Sequence, residues 1–178
     1  MALVVLVRGL NVGGHRRFRP SRLAEQLQNL DAVNIGATGA FVIRQPVSRA
    51  QLRLEVARRL PFDAEIMICD GRDIIGLMSL DFFASFPVRP DLVHFVSLLS
   101  RPPRPAPLLP VRFQSGEGKW VLKVLALHDR FVLGMYRREM RAIRYLGELD
   151  RLFGTSVTTR NWNTIAAIAK ALGWRPQD

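Results

Sequence analysis

Two polar segments carry the residue types that hold anions. The first reads Arg8-Gly9-Leu10-Asn11-Val12-Gly13-Gly14. It leaves an apolar run and precedes a helix, the place where backbone N–H groups cradle phosphates. Its glycines are not spaced as G-x-G-x-x-G and no GK[ST] follows, so the dinucleotide and P-loop fingerprints are both absent. The second segment, Thr158-Thr159-Arg160-Asn161-Trp162-Asn163-Thr164, stands immediately before the last helix. Asn161 or Asn163 suits its cap, and the exposed N–H groups together with Arg160 make a competent anion site. Trp162 either staples the core or stacks on a ring of a ligand. Arg8, Asn11, Gly13, Gly14, Arg160, Asn161 and Trp162 are therefore the ligand-binding candidates. The two segments are expected to converge, because each joins unusual polar residues to a strand-to-helix connection.

Catalytic and metal-binding patterns are scarce. The three histidines, His15, His94 and His128, show no HExxH spacing, and Cys69 is the single cysteine. A disulfide framework and a multi-thiolate zinc site are excluded. No GxSxG nucleophile elbow occurs, and no pair of carboxylates stands in an acid–base setting. No catalytic residue, metal or cofactor is assigned from the sequence, and whether the chain is an enzyme stays open at this point.

Charge narrows the partners. Lys+Arg number 26 against 15 Asp+Glu, a formal net charge of +11, and arginine supplies 23 of the basic residues. Such a field favours phosphate-rich partners. The stretch from Arg8 to Arg22 holds five arginines and no acid, and Arg137, Arg138, Arg141 and Arg144 form a second cluster. Arg16, Arg17 and Arg19 are the candidates for nucleic-acid attraction. The leading reading is a basic binding protein for a nucleic acid or a phosphorylated small molecule. One alternative is an enzyme acting on a phosphate-bearing metabolite, with Arg160 and the glycine loop as clamps. The other is a protein-interaction module that uses the proline segment or an exposed apolar patch.

The remaining composition places the chain in a broad class. With 178 residues and 48% hydrophobic content, it holds one substantial core or two small ones. No apolar run approaches the roughly 20 residues of a membrane span, and the opening one lacks the basic head of a signal peptide. A soluble, cytoplasmic protein is expected, without a membrane partner.

The elements that must position these residues follow from periodicity. Residues 2–8 read as a strand covered on both faces, because the run is apolar without alternation. Pro20 and Ser21 open a helix with Leu23, Leu27 and Leu30 on one stripe. Two short strands follow at Val33–Ile35 and Ala40–Ile43. Ser48 and Gln51 then have the spacing that starts a helix with Leu52, Val56 and Leu60 on its stripe. A strand over Glu65–Cys69 completes the order strand, helix, strand, strand, helix, strand. The second half repeats that order in outline. Leu92–Leu99 is a strand, the segment 101–110 is barred from regular helix by five prolines, and Trp120–Leu127 with Phe131–Tyr136 makes a hairpin. A helix ending at Gly154, a short strand at Ser156–Thr158 and a terminal helix follow. The expected class is α+β in two subdomains, 1–72 and 73–178, the second carrying the proline loop and the terminal helix. Gly39-Ala40-Phe41-Val42 is similar to part of the RNA-recognition-motif signature. The first strand has no aromatic, however, and its apolar run predicts a covered face, so a base-stacking platform is excluded.

The opening Arg8–Gly14 segment, the Thr38-Gly39 turn and the closing Thr158–Thr164 segment together resemble the bacterial family called "domain of unknown function 1697". The resemblance spans nearly the whole chain. It implies two ferredoxin-like subdomains and no established activity, so it contributes no catalytic residue. Two departures stand out. Ala37-Thr38-Gly39-Ala40 replaces a Gln-Ser-Gly-Asn turn, and Arg138-Glu139-Met140-Arg141 replaces a Ser-Lys-Leu sequence. If those polar groups serve a ligand in relatives, that ligand is changed here.

Overall fold

The computed structural model describes residues 1–10, 18–116 and 118–176. They form two antiparallel sheets with helices, in two units: residues 1–82 together with the segment from Asn163 onward, and Phe83–Trp162.

The first unit begins with β1 (Leu3–Val7), α1 (Pro20–Gln26), β2 (Ala32–Ile35), β3 (Ala40–Ile43), α2 (Arg49–Ala57), β4 (Ile66–Asp70) and α3 (Gly71–Ser79). Its sheet runs β2-β3-β1-β4, with every neighbour antiparallel. The unbroken apolar run of β1 is explained by burial on both faces, since all five of its residues are buried. Leu3, Val5 and Val7 turn to the same side as Phe41, Ile43, Ile66 and Ile68, where Leu23 and Leu27 and, from α2, Leu52 and Val56 complete a core. Phe41 lies inside this core at 1% exposure, so it packs and does not display a ring. α1 starts on Pro20, whose missing N–H and fixed φ suit a first helical position. Ser48 caps α2 by accepting from the Gln51 amide at 3.1 Å. Asp73 accepts from the Asp70 amide at 3.2 Å and ties down the start of α3.

The second unit holds β5 (Leu92–Leu99), β6 (Val111–Gln114), β7 (Trp120–His128), β8 (Phe131–Arg137), α4 (Met140–Gly147), α5 (Leu149–Phe153) and β9 (Val157–Asn161). Its sheet runs β6-β7-β8-β5-β9. Phe95, Leu99, Leu122, Val124 and Val132 build its core with Leu149 and Phe153 of α5. Gly134 makes that packing possible, since a Cβ there would overlap the Lys123 carbonyl oxygen and the Phe95 ring. Gly154 ends α5 in the left-handed region at φ 63°.

Three expectations change. The terminal helix, α6 (Trp162–Ala171), belongs from Asn163 with the first unit, and the boundary falls after Phe82 instead of residue 72. The reason is local contact. Arg44 Nη2 donates to the Ala171 carbonyl at 3.1 Å, and Leu172 lies against Gly71. The closing strand is Val157–Asn161, longer than Ser156–Thr158, because it pairs along β5 from Leu99 to Phe95. The edge strand β6 was not expected at all. Among the described residues, no helix is long and apolar enough to cross a membrane.

Candidate anion-binding site

The residues singled out by sequence have different surroundings. Asn11, Gly13, Gly14, Arg16 and Arg17 lie outside the described residues. Arg8 leaves β1 half-buried, and its Nη1 meets Glu65 Oε2 at 2.9 Å while its amide donates to the Glu65 carbonyl at 2.9 Å. Its charge is thus matched within its own unit. Arg19 is exposed and precedes α1. Arg160 is buried at 8% exposure, in register with Val96, and its Nη1 donates to the Thr159 carbonyl at 2.8 Å. Burial lowers its guanidinium to about 10, which leaves it protonated at neutral pH. Asn161 is the exposed last residue of β9, paired with Phe95. Trp162 stands edge-on to Phe83 at 5.0 Å, and Phe83 stacks flat on His94 at 4.5 Å. The packing role of Trp162 is therefore visible. Arg8 belongs to the first unit, and Arg160, Asn161 and Trp162 to the second.

The excess of positive charge is larger in the second unit. It carries 13 Lys+Arg against 6 Asp+Glu, a net of +7, whereas the first carries 13 against 9, a net of +4. The edge strand β6 is the centre of one group. Arg112 on β6 pairs in register with Lys123 on β7, while Phe113 packs against the core on the other face. Lys123 Nζ lies 4.2 Å from the Trp120 ring centre and Arg137 Cζ lies 4.4 Å from it, a cation–π arrangement. Burial, and then the positive charges of Arg112 and Arg137, lower the Lys123 ammonium from its ordinary range. On the core side of the same edge, Tyr145 Oη donates to the Gln114 carbonyl at 2.8 Å and holds α4 beside the β6–β7 hairpin. Ser115, Gly116, Arg141, Arg144 and Tyr145 line a cavity of about 290 Å³ there. Arg141 and Arg144 are exposed and make no ion pair among the described residues. The sequence had marked these two arginines as a cluster; the edge strand that lines them up was not legible.

A second cavity, of about 460 Å³, opens where β5 ends and β9 begins. Arg101, Pro102, Pro103, Arg104, Phe153 and Gly154 line it. Neither Arg101 nor Arg104 is among the expected ligand-binding residues. The signal was present: two arginines set among prolines, with no acid between Asp91 and Glu117.

Among the described residues, no histidine, cysteine or carboxylate lines either cavity. Among the described residues, no three His, Cys, Asp or Glu side chains gather to hold a metal ion. Both cavities thus offer hydrogen-bond donors and positive charge, the chemistry of anion binding.

No family model matches the chain, and no curated protein matches it. Among solved structures, the chain is similar to conserved bacterial protein SP0830 from Streptococcus pneumoniae, with a TM-score of 0.57 and 16% identity over 97% of this chain and 98% of that one. At that identity the likeness carries the fold alone.

Proposed function

We propose that this protein binds an anionic partner, a nucleic acid, through the end of the second unit around β6. The observation that carries the reading is the placement of Arg112 and Lys123 on one face of the sheet edge and of Arg141 and Arg144 on the other. Exposed guanidiniums on both sides of one edge suit a run of successive phosphates, each contact releasing counterions. Binding is favoured over catalysis because, among the described residues, no histidine, carboxylate or thiol lines either cavity. The strand order is the support for a wider reading of the fold. Both sheets fit a ferredoxin-like plan, β4-β1-β3-β2 in the first and β9-β5-β8-β7 in the second with β6 added at the edge. That plan agrees with the resemblance to the "domain of unknown function 1697" family, which rests on the quoted segments.

Fluorescence anisotropy with labelled single-stranded and duplex oligonucleotides, from low to physiological salt, tests the function. Binding that survives near physiological salt with a log–log slope of several units is expected. Replacing both Arg141 and Arg144 with alanine should flatten the slope by about 2. Replacing Arg58 and Arg59, which already hold Glu55 in the first unit, should leave it unchanged. Equal loss from both pairs would reduce the charge to a general surface property, and absent binding would end the reading.

A further inference from the structure

The geometry points to a second ligand site in the 460 Å³ cavity, one that takes a phosphate monoester carried on a small ring system, of the size of a nucleoside monophosphate. This inference does not rest on the β6 surface, because it uses other arginines at the other end of the strands. Strand register establishes the separation. Arg101 follows Leu99, which pairs with Val157, whereas Arg141 follows the Arg137 end of β8, which pairs with Leu92.

The chemistry comes from the lining. Arg101 and Arg104 are exposed, form no ion pair among the described residues and lie three residues apart on one loop. Two planar forks at one place suit a single phosphate group, which accepts from guanidinium in a bidentate manner. Arg101 Nη2 donates to the Gly154 carbonyl at 3.4 Å, which ties the loop to the end of α5. The exposed Pro102 supplies apolar surface for a ring beside the phosphate, with the buried Pro103 and Phe153 behind it. The volume falls within the range of small-ligand sites, about 300–1,000 Å³.

The site is also built in advance. Five prolines between 101 and 110 restrict the backbone, and Pro103 is buried. The Ser100 amide donates to the Ser156 carbonyl at 3.0 Å, and the Ser100 and Thr155 hydroxyls are 2.5 Å apart. Beyond the cavity, Leu109 and Val111 pack against the core. A loop held at both ends loses little freedom when it binds, so its arginines cost less to order than side chains on a free loop.

Titration of the full chain with AMP, adenosine and inorganic phosphate, followed by calorimetry and by amide chemical shifts, tests the site. AMP should bind with a Kd of about 0.1–1 mM, and adenosine and phosphate each about tenfold more weakly. The pair R101A/R104A should weaken AMP about tenfold or more, while R141A/R144A changes it by less than about twofold. Both pairs are exposed, so the variants should keep the parent far-UV circular dichroism; R104E supplies a second variant expected to weaken AMP. The inference is overturned if AMP fails to bind at low-millimolar concentration, if both arginine pairs weaken it equally, or if adenosine binds as tightly as AMP. Oligonucleotide binding by R101A/R104A reports separately on the β6 surface, so the two readings fail independently.

Discussion

Four strands of each sheet follow one order, and the two units differ in how the chain crosses from the first of them to the second. In the first unit the crossover after β1 includes α1, and Leu23 of α1 with Leu27 just after it fills the core face. In the second, the chain leaves β5 through a proline segment and adds β6 before β7 begins. The arginine that follows each first strand shows the consequence. Arg8 meets Glu65 at 2.9 Å, whereas Arg101 has no carboxylate partner among the described residues and lines a cavity. The same contrast runs through the rest of each unit. Arg44, Arg49, Arg58 and Arg59 also hold carboxylates in the first unit, while in the second Arg89 and Arg137 share Asp91. Net charge alone would have spread the positive potential over the whole molecule. Among the described residues, carboxylates hold five arginines in the first unit and two in the second.

The largest effect expected of this comparison concerns the cores, where the units should behave alike. Phe41 and Phe95 are each buried to 1% or less. Either change to alanine should cost about 3–5 kcal/mol, read from urea unfolding followed by circular dichroism. A much smaller cost for Phe95→Ala would mean that the proline-linked sheet packs more loosely than the helix-linked one.

A smaller effect tests the pairing itself. Glu65→Gln removes the carboxylate that meets Arg8 Nη1. Because both side chains are partly exposed, stability should fall by less than about 1 kcal/mol. Oligonucleotide affinity at low salt should rise, since one carboxylate beside Arg8 would be gone. Unchanged affinity would show that carboxylate pairing is not what separates the units.

The smallest effect is one of protonation. Burial lowers the His94 imidazole below its ordinary 6.5, more than the hydrogen bond with the Pro87 backbone raises it. A base held lower in the folded chain contributes stability that is fully present above 6.5 and is lost as pH falls through the folded value. The urea midpoint should therefore drop on acidification from about pH 6.5. The His94→Phe variant, which keeps a flat ring against Phe83, should reduce that drop. An unchanged acid profile would place its origin in other groups.

Much of the fold was legible because periodicity reports which faces are wet. The bounds of β3 were read residue for residue, and Ser48 was correctly placed as the cap of α2. The strand β6 was not legible. Its four residues follow a proline-rich stretch, and a strand that short exists only because β7 offers it hydrogen bonds. The placement of α6 was hidden for a similar reason: its stripe shows that it is buried, not against which sheet. Of the candidate site, the Arg141–Arg144 cluster was legible as composition, and the Arg101–Arg104 cavity was not.

By itself, then, the amino-acid order determined the α+β alternation, the turns and the excess of positive charge, all of which depend on near neighbours. Tertiary structure decided which charges remain available. Glu65 is 57 residues from Arg8 in the chain, and Gly154 is 53 from Arg101, so no local pattern records either approach. A guanidinium's value to a ligand depends on whether folding has already brought it a carboxylate, and only the folded chain sets that distance.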